Sequence, residues 1–171
     1  TVLITGASRG IGRAVATAFA RQGDHLILVA RTRGGLEEAD DEVRRAGGAA
    51  TLVPLDLMDG DKVDALGPSL FPRFAHLDVL VANAGMLGPI TPVSHIQDKD
   101  WVDVLALNLT ANWRLIRTLE PLLKRARAGR AIFVTSGAAA NPRAYWGPYA
   151  ASKAALEALV KTWAMELANT P

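Results

Sequence analysis

Val2-Leu3-Ile4-Thr5-Gly6-Ala7-Ser8-Arg9-Gly10-Ile11-Gly12 decides how this chain is read. The first four residues form a short, mostly β-branched run that predicts a strand. Three glycines follow as Gly-x-x-x-Gly-x-Gly, and then a helical pattern begins. Ile11, Val15 and Phe19 recur at helical spacing, with Ala14 and Ala18 beside them, and predict the apolar stripe of a helix that Gly23 stops. Strand, glycine turn and helix make the first half of a phosphate-cradling unit. Glycines let the backbone approach a pyrophosphate, and the helix start offers free N–H groups at the positive end of its dipole. A turn that needs glycine for its own geometry is the plainer alternative. The strand before and the helix after favour the nucleotide. The spacing differs from the Gly-x-Gly-x-x-Gly of many dinucleotide folds.

Working outward, the same alternation repeats. Strand-like runs cover residues 25–30, 50–55, 77–82 and 131–135. Helical patterns cover 36–46, 61–74 (interrupted at Gly67-Pro68 and Pro72), 98–127 (bent at Pro121) and 149–168. Continuous apolar runs such as Leu26-Ile27-Leu28-Val29 read as strands buried on both faces. Five β-α repeats predict an α/β fold with a doubly wound parallel sheet between two helical layers, a three-layer αβα Rossmann fold.

In such sheets ligands bind beyond the strand carboxyl ends. The second strand ends in Ala30-Arg31-Thr32-Arg33, where an acid would bind a ribose 2′-hydroxyl and an arginine a 2′-phosphate. With no acid there, and with Arg9 in the glycine turn, two guanidiniums suit a phosphate dianion, so NADP is expected over NAD. Asp56 and Leu57 follow the third strand. Asp56 reads equally as an adenine contact or as a turn or cap residue. Asn83-Ala84-Gly85 follows the fourth strand and Ser136 ends the fifth. Asn108 lies among Leu105, Leu107 and Leu109, where a buried amide needs partners. It braces the backbone or serves a site.

Tyr149-Ala150-Ala151-Ser152-Lys153 opens the last helix. Four residues apart, the phenol and the ammonium share one face. A nearby cation favours a phenolate, which suits the tyrosine to general acid/base work. Taken alone, such a pair is common by chance.

Composition narrows the classes. A formal charge of +2 over 171 residues gives no case for nucleic acid. The chain has no cysteine, hence no disulfide and no thiolate site. His25, His76 and His95 are scattered, so no metal site is expected. No apolar run approaches the ~18 residues of a membrane span. Thr1 and Val2 already belong to a strand and the chain stops just after a helix. It therefore reads as a piece of a longer protein.

Taken together, these motifs resemble the short-chain dehydrogenase/reductase family. Thr5–Gly12 is similar to its cofactor turn, Asn83-Ala84-Gly85 to its Asn-Ala-Gly element, and Asn108 to its helix asparagine. Ser136 stands thirteen residues before Tyr149, and Tyr149–Lys153 matches the catalytic stretch. The resemblance implies strand order 3-2-1-4-5, with residues 1–171 forming one catalytic domain. It also implies that this domain lacks the family's C-terminal substrate loop and last strands. It implies hydride transfer between NADP(H) and a carbonyl or secondary alcohol. Tyr149 would be the acid/base. Lys153 would assist it and hold the nicotinamide ribose, and Ser136 would orient the substrate oxygen. Asn108 would hold a water in a proton relay. Gly6, Ser8, Arg9, Gly10, Ile11, Gly12, Arg31, Asp56, Leu57, Asn83, Ala84 and Gly85 would contact or support the cofactor, with Tyr149 and Lys153. A cytoplasmic homodimer or homotetramer, joined through the Asn108 and Tyr149 helices, is expected. The rival readings are an NAD-linked alcohol or sugar dehydrogenase and a silent cofactor-binding sensor. Trp146, Tyr145 and Met86 are expected near the substrate.

Overall fold

The structure is a computed structural model that describes residues 1–170. Five parallel strands form one sheet, β1 (Val2–Thr5), β2 (His25–Ala30), β3 (Ala49–Pro54), β4 (Val79–Ala82) and β5 (Arg130–Phe133), in the order β3-β2-β1-β4-β5. The sheet reverses its winding beside β1, between β2 on one side and β4 on the other. A crevice at such a switch point, beyond the carboxyl ends of the strands, is where this architecture takes a ligand. Fold class and strand order are as expected from the sequence.

Alternate side chains feed two cores. Val2, Ile4, Leu26 and Leu28 point to one face, under α1 (Gly10–Ala20) and α2 (Arg33–Arg45). Leu3, Ile27, Val29 and Leu80 point to the other, under α3 (Gly60–Leu70) and α5 (Ala111–Leu123), with Trp163 of α6 (Gly147–Glu166). Each fully buried leucine or isoleucine contributes about 1.5–3 kcal/mol relative to exposure.

Helix α1 corrects one expectation. Its buried residues are Gly12, Ala16 and Ala20, one position round from the expected stripe, while Ile11 is 61% exposed. The reason is distance: the start of α1 lies so close to the turn at the end of β1 that a Cβ on Gly12 would meet the Gly6 carbonyl oxygen at 2.4 Å. Small residues therefore face the sheet, and the large ones are left at the flanks.

The expected break at Gly67-Pro68 is also absent, because α3 runs through both residues. Pro68 has no N–H for the Asp64 carbonyl. The Thr118 hydroxyl of α5 donates to that carbonyl at 2.8 Å and accepts the Gly67 N–H at 3.0 Å. A neighbouring helix thus splices the interrupted ladder. Gly67 permits the approach, since a Cβ there would lie 2.0 Å from the Thr118 carbonyl oxygen. Thr118→Val is expected to cost about 1–3 kcal/mol in urea denaturation, with Thr118→Ser close to the wild type. Equal stability of Thr118→Val and wild type would contradict the splice.

In the long helix the disturbance lies elsewhere than Pro121, which sits inside α5 two residues before its end. Between α4 (Asp98–Leu105) and α5, residues Ala106–Thr110 form a π-helical turn, with Asn108 at its centre. Such turns are rare and gather at functional sites.

Candidate active site

The glycine turn is held from beneath. Gly6 and Gly10 have φ of +64° and +58°, the left-handed region that favours glycine. The Thr5 hydroxyl accepts the Asn83 and Ala84 N–H groups at 3.0 and 3.1 Å. The Asn83 side-chain amide donates to the carbonyls of Thr5 (3.0 Å) and Gly6 (3.3 Å). The end of β4 is thereby stapled to the end of β1. Gly12 serves this assembly from behind, packed on Gly6, and does not line the cleft in front.

That cleft has a volume of about 410 Å³. Gly6, Ser8, Arg9, Gly10 and Ile11 form one wall, and Arg31, Asp56, Leu57, Asn83, Ala84 and Gly85 complete it. Its donors are unspent. Arg9 is the residue capping α1 and makes no side-chain cap, and the first turn holds no acidic residue. The first N–H groups of α1 therefore lack a side-chain acceptor, which suits an anion. Arg9 and Arg31 are exposed, and among the described residues neither is ion-paired. The Asp56 carboxylate accepts the Met58 N–H at 3.0 Å, while Asp59 caps α3 through the Lys62 N–H at 3.2 Å. Asp56 is thus a turn residue on the cleft wall, and the cap belongs to Asp59.

At its far end the cleft meets the other half of the site. A Cβ on Gly85 would stand 3.1 Å from Asn108 Oδ1 and 3.5 Å from Lys153 Nζ. Asn108 is fully buried, and its amide makes three hydrogen bonds. Oδ1 accepts the Met86 N–H at 2.9 Å, and Nδ2 donates to the Met86 carbonyl at 2.8 Å and to Ser152 Oγ at 3.0 Å. Ser152 donates in turn to the Tyr149 carbonyl at 2.8 Å. The π-turn asparagine thus fixes both the loop after β4 and the start of α6. Its own carbonyl accepts the Asn112 side-chain amide at 2.8 Å.

Pro148 in the first turn of α6 suits a helix start, and Tyr149 and Lys153 follow on one face. Lys153 is only 4% exposed and donates to the Val134 carbonyl at 2.7 Å. Its nitrogen stands 5.9 Å from the Tyr149 ring centroid. The Ser136 oxygen accepts the Ala138 N–H at 3.2 Å, capping a short 3₁₀ turn, so its O–H remains free to donate elsewhere. Among the described residues no group of three His, Cys, Asp or Glu side chains is placed to hold a metal ion.

Burial pushes the Lys153 pKa below the usual lysine value. The unfolded chain then binds this proton more tightly than the folded one. Stability should rise with pH through the window between the lowered value and the ordinary one, about 10.4. Urea denaturation at about pH 7 and about pH 10 should show the wild type gaining on Lys153→Met as pH rises. Parallel pH curves for the two would contradict a desolvated ammonium.

The short chain dehydrogenase family model matches residues 1–171, the whole chain. The chain belongs to the short-chain dehydrogenase family. The oxidoreductase YciK of Escherichia coli is 34% identical over 168 residues, covering 96% of this chain and 67% of that protein. A short-chain dehydrogenase from Pseudomonas syringae superposes with a TM-score of 0.93 at 37% identity, over 97% of this chain and 70% of its own. Another from Escherichia coli, complexed with NADPH, gives 0.92 at 33%, over 99% of this chain and 72% of its own. This short-chain dehydrogenase chain thus spans about two thirds of the length of YciK. Among the described residues no helix is long and apolar enough to cross a membrane.

Three residues of the site received no role of their own from the sequence: Thr5, Asn112 and Ser152. All are buried polar groups within apolar elements. For Asn112 a signal existed, since it follows Asn108 by one helical turn.

Proposed function

We propose that this protein is an NADP(H)-dependent oxidoreductase that interconverts a carbonyl compound and a secondary alcohol. The observation that carries this is the meeting at Gly85: a cleft of unspent anion donors ends against the buried Lys153, beside Tyr149. The glycine turn and the start of α1 would hold the pyrophosphate, Arg9 and Arg31 the 2′-phosphate, and Asp56 and Leu57 the adenine side. The NADPH complex of the Escherichia coli relative supports that cofactor.

NADPH held there would supply the hydride for the carbonyl carbon. Tyr149 gives its phenolic proton to the carbonyl oxygen as the C=O π pair becomes an O–H bond, and takes a proton back in the oxidative direction. Ser136 donates its free O–H to the same oxygen, where negative charge grows. Lys153 holds positive charge beside the phenol. Asn108 keeps Met86 and the α6 start in place, and its main-chain carbonyl, shared with Asn112, would be an acceptor for a relay water, as would the second lone pair of Oδ1. Trp101, Val102 and Trp113 are exposed on the α4–α5 surface, and Ala151, Ala154 and Ala158 on α6. A second copy of the chain would cover this face, which sedimentation would show as a dimer or tetramer.

The direct test is NADPH oxidation against a panel of ketones, aldehydes and acyl thioesters. Turnover of at least one class is expected. Tight NADPH binding with no turnover across the panel would instead mark a sensor. Arg31→Ala should weaken NADPH roughly tenfold and NADH far less, measured by fluorescence titration. Equal losses for the two cofactors would remove the 2′-phosphate contact.

A further inference from the structure

Tyr145 is the one non-glycine residue among the described residues with positive φ, at +71°. It occupies the third position of a four-residue turn closed by the Trp146 N–H donating to the Arg143 carbonyl at 3.2 Å. With φ positive at that position, turns take glycine or asparagine, and a bulky side chain there is strained. Strain of this kind persists where it serves a site. The turn stands immediately before Tyr149 and is tied across to the loop after β4. The Thr91 N–H donates to the Tyr145 carbonyl at 3.2 Å, and Val93 and Ile96 close on Gly147.

The turn lays Arg143 over Trp146, with the guanidinium carbon 5.1 Å from the ring centroid. The Trp146 ring meets the Tyr149 ring edge-on at 5.8 Å. A cation is thus fixed two ring contacts from the proposed acid/base. Among the described residues no carboxylate pairs with it. Its N–H donors make no hydrogen bond to another described residue and are free for a planar or tetrahedral anion. Tyr145, Ile90 and Val93 in the two joined segments are all more than half exposed and offer apolar surface.

We propose that the strained turn Arg143–Trp146 selects the substrate, favouring carbonyl compounds whose apolar or aromatic body ends in an acid group, carboxylate or phosphate. This rests on the reductase reading above. The test uses one aryl ketone in three forms: a terminal carboxylate, a terminal phosphate ester and the neutral methyl ester of the carboxylate. At least one acid should exceed the ester about tenfold in kcat/KM, mostly through KM. The acid that gains more names the anion. Arg143→Gln should erase this preference and leave NADPH affinity within about twofold, and Arg143→Lys should restore part of it. Tyr145→Gly should raise Tm while lowering kcat/KM for the acid several-fold, because it relieves the strain and removes the ring. Equal turnover of acids and ester overturns the proposal and leaves the reductase reading standing. So does an Arg143→Gln loss shared by the ester or by NADPH binding, or a Tyr145→Gly variant with unchanged kcat/KM. No turnover of any carbonyl overturns both.

Discussion

Tyr149→Phe should lower kcat by roughly 10³-fold, within the range that a positioned general acid contributes. NADPH affinity should stay within about threefold, less than 1 kcal/mol. The change removes one oxygen and leaves the ring. That ring keeps its edge-on contact with Trp146 at 5.8 Å and its place 5.9 Å from the Lys153 ammonium. Nothing else in the site depends on the phenol oxygen: Lys153 is held by the Val134 carbonyl, and Ser136 by the Ala138 N–H. The loss should therefore fall on kcat and kcat/KM together, as for an interaction made only in the transition state. Steady-state kinetics with NADPH titration decide it. Turnover above about a tenth of wild type would remove Tyr149 from the chemistry.

Gly12→Ala should be the most damaging small substitution in the glycine turn. The added Cβ would fall 2.4 Å from the Gly6 carbonyl oxygen and 2.6 Å from the Asn83 amide nitrogen. The first is backbone, and the second is held by two carbonyls, so neither yields cheaply. Either α1 lifts from β1 or the turn distorts, at a cost of about 1–3 kcal/mol or more, as for overpacking in a core. NADPH affinity should fall at least tenfold, because the first N–H groups of α1 move with the helix. Gly34→Ala is the control. It lies in α2 with nothing within 4 Å of the added carbon, so it should be neutral or stabilising by about 0.5–1 kcal/mol. Tm and NADPH titration on both variants read the difference. A Gly12→Ala protein as stable and as tight for NADPH as Gly34→Ala would show that the helix and turn have room.

What was legible in the sequence was set by residues whose choice is local. Apolar runs such as Leu26–Val29 suggest strands buried on both faces, as in parallel sheets, and this run is one. Glycines at positive φ mark Gly6 and Gly10. The i,i+4 spacing puts Tyr149 and Lys153 on one face, and both lie on α6. What was missed depends on distance between elements. The α1 stripe is shifted because the approach of helix to sheet, not hydrophobicity, chose Gly12, Ala16 and Ala20 as the buried face. Gly67-Pro68 breaks no helix because a threonine fifty-one residues away supplies the missing partners. The π turn at Asn108 carries no composition signal, and neither does the strain at Tyr145, where the sequence shows a residue that the turn does not favour.

The central claim is that one cleft delivers hydride to a carbonyl whose oxygen meets Tyr149. NADPH carrying deuterium at nicotinamide C4, prepared with the label on either face, tests it most directly when run with a ketone the protein reduces. Mass spectrometry of the alcohol should find one deuterium on the carbinol carbon from one of the two labelled forms, and Tyr149→Phe should form that labelled alcohol roughly 10³-fold more slowly. Alcohol formed without label from either form, or labelled alcohol made equally well by Tyr149→Phe, would contradict the account.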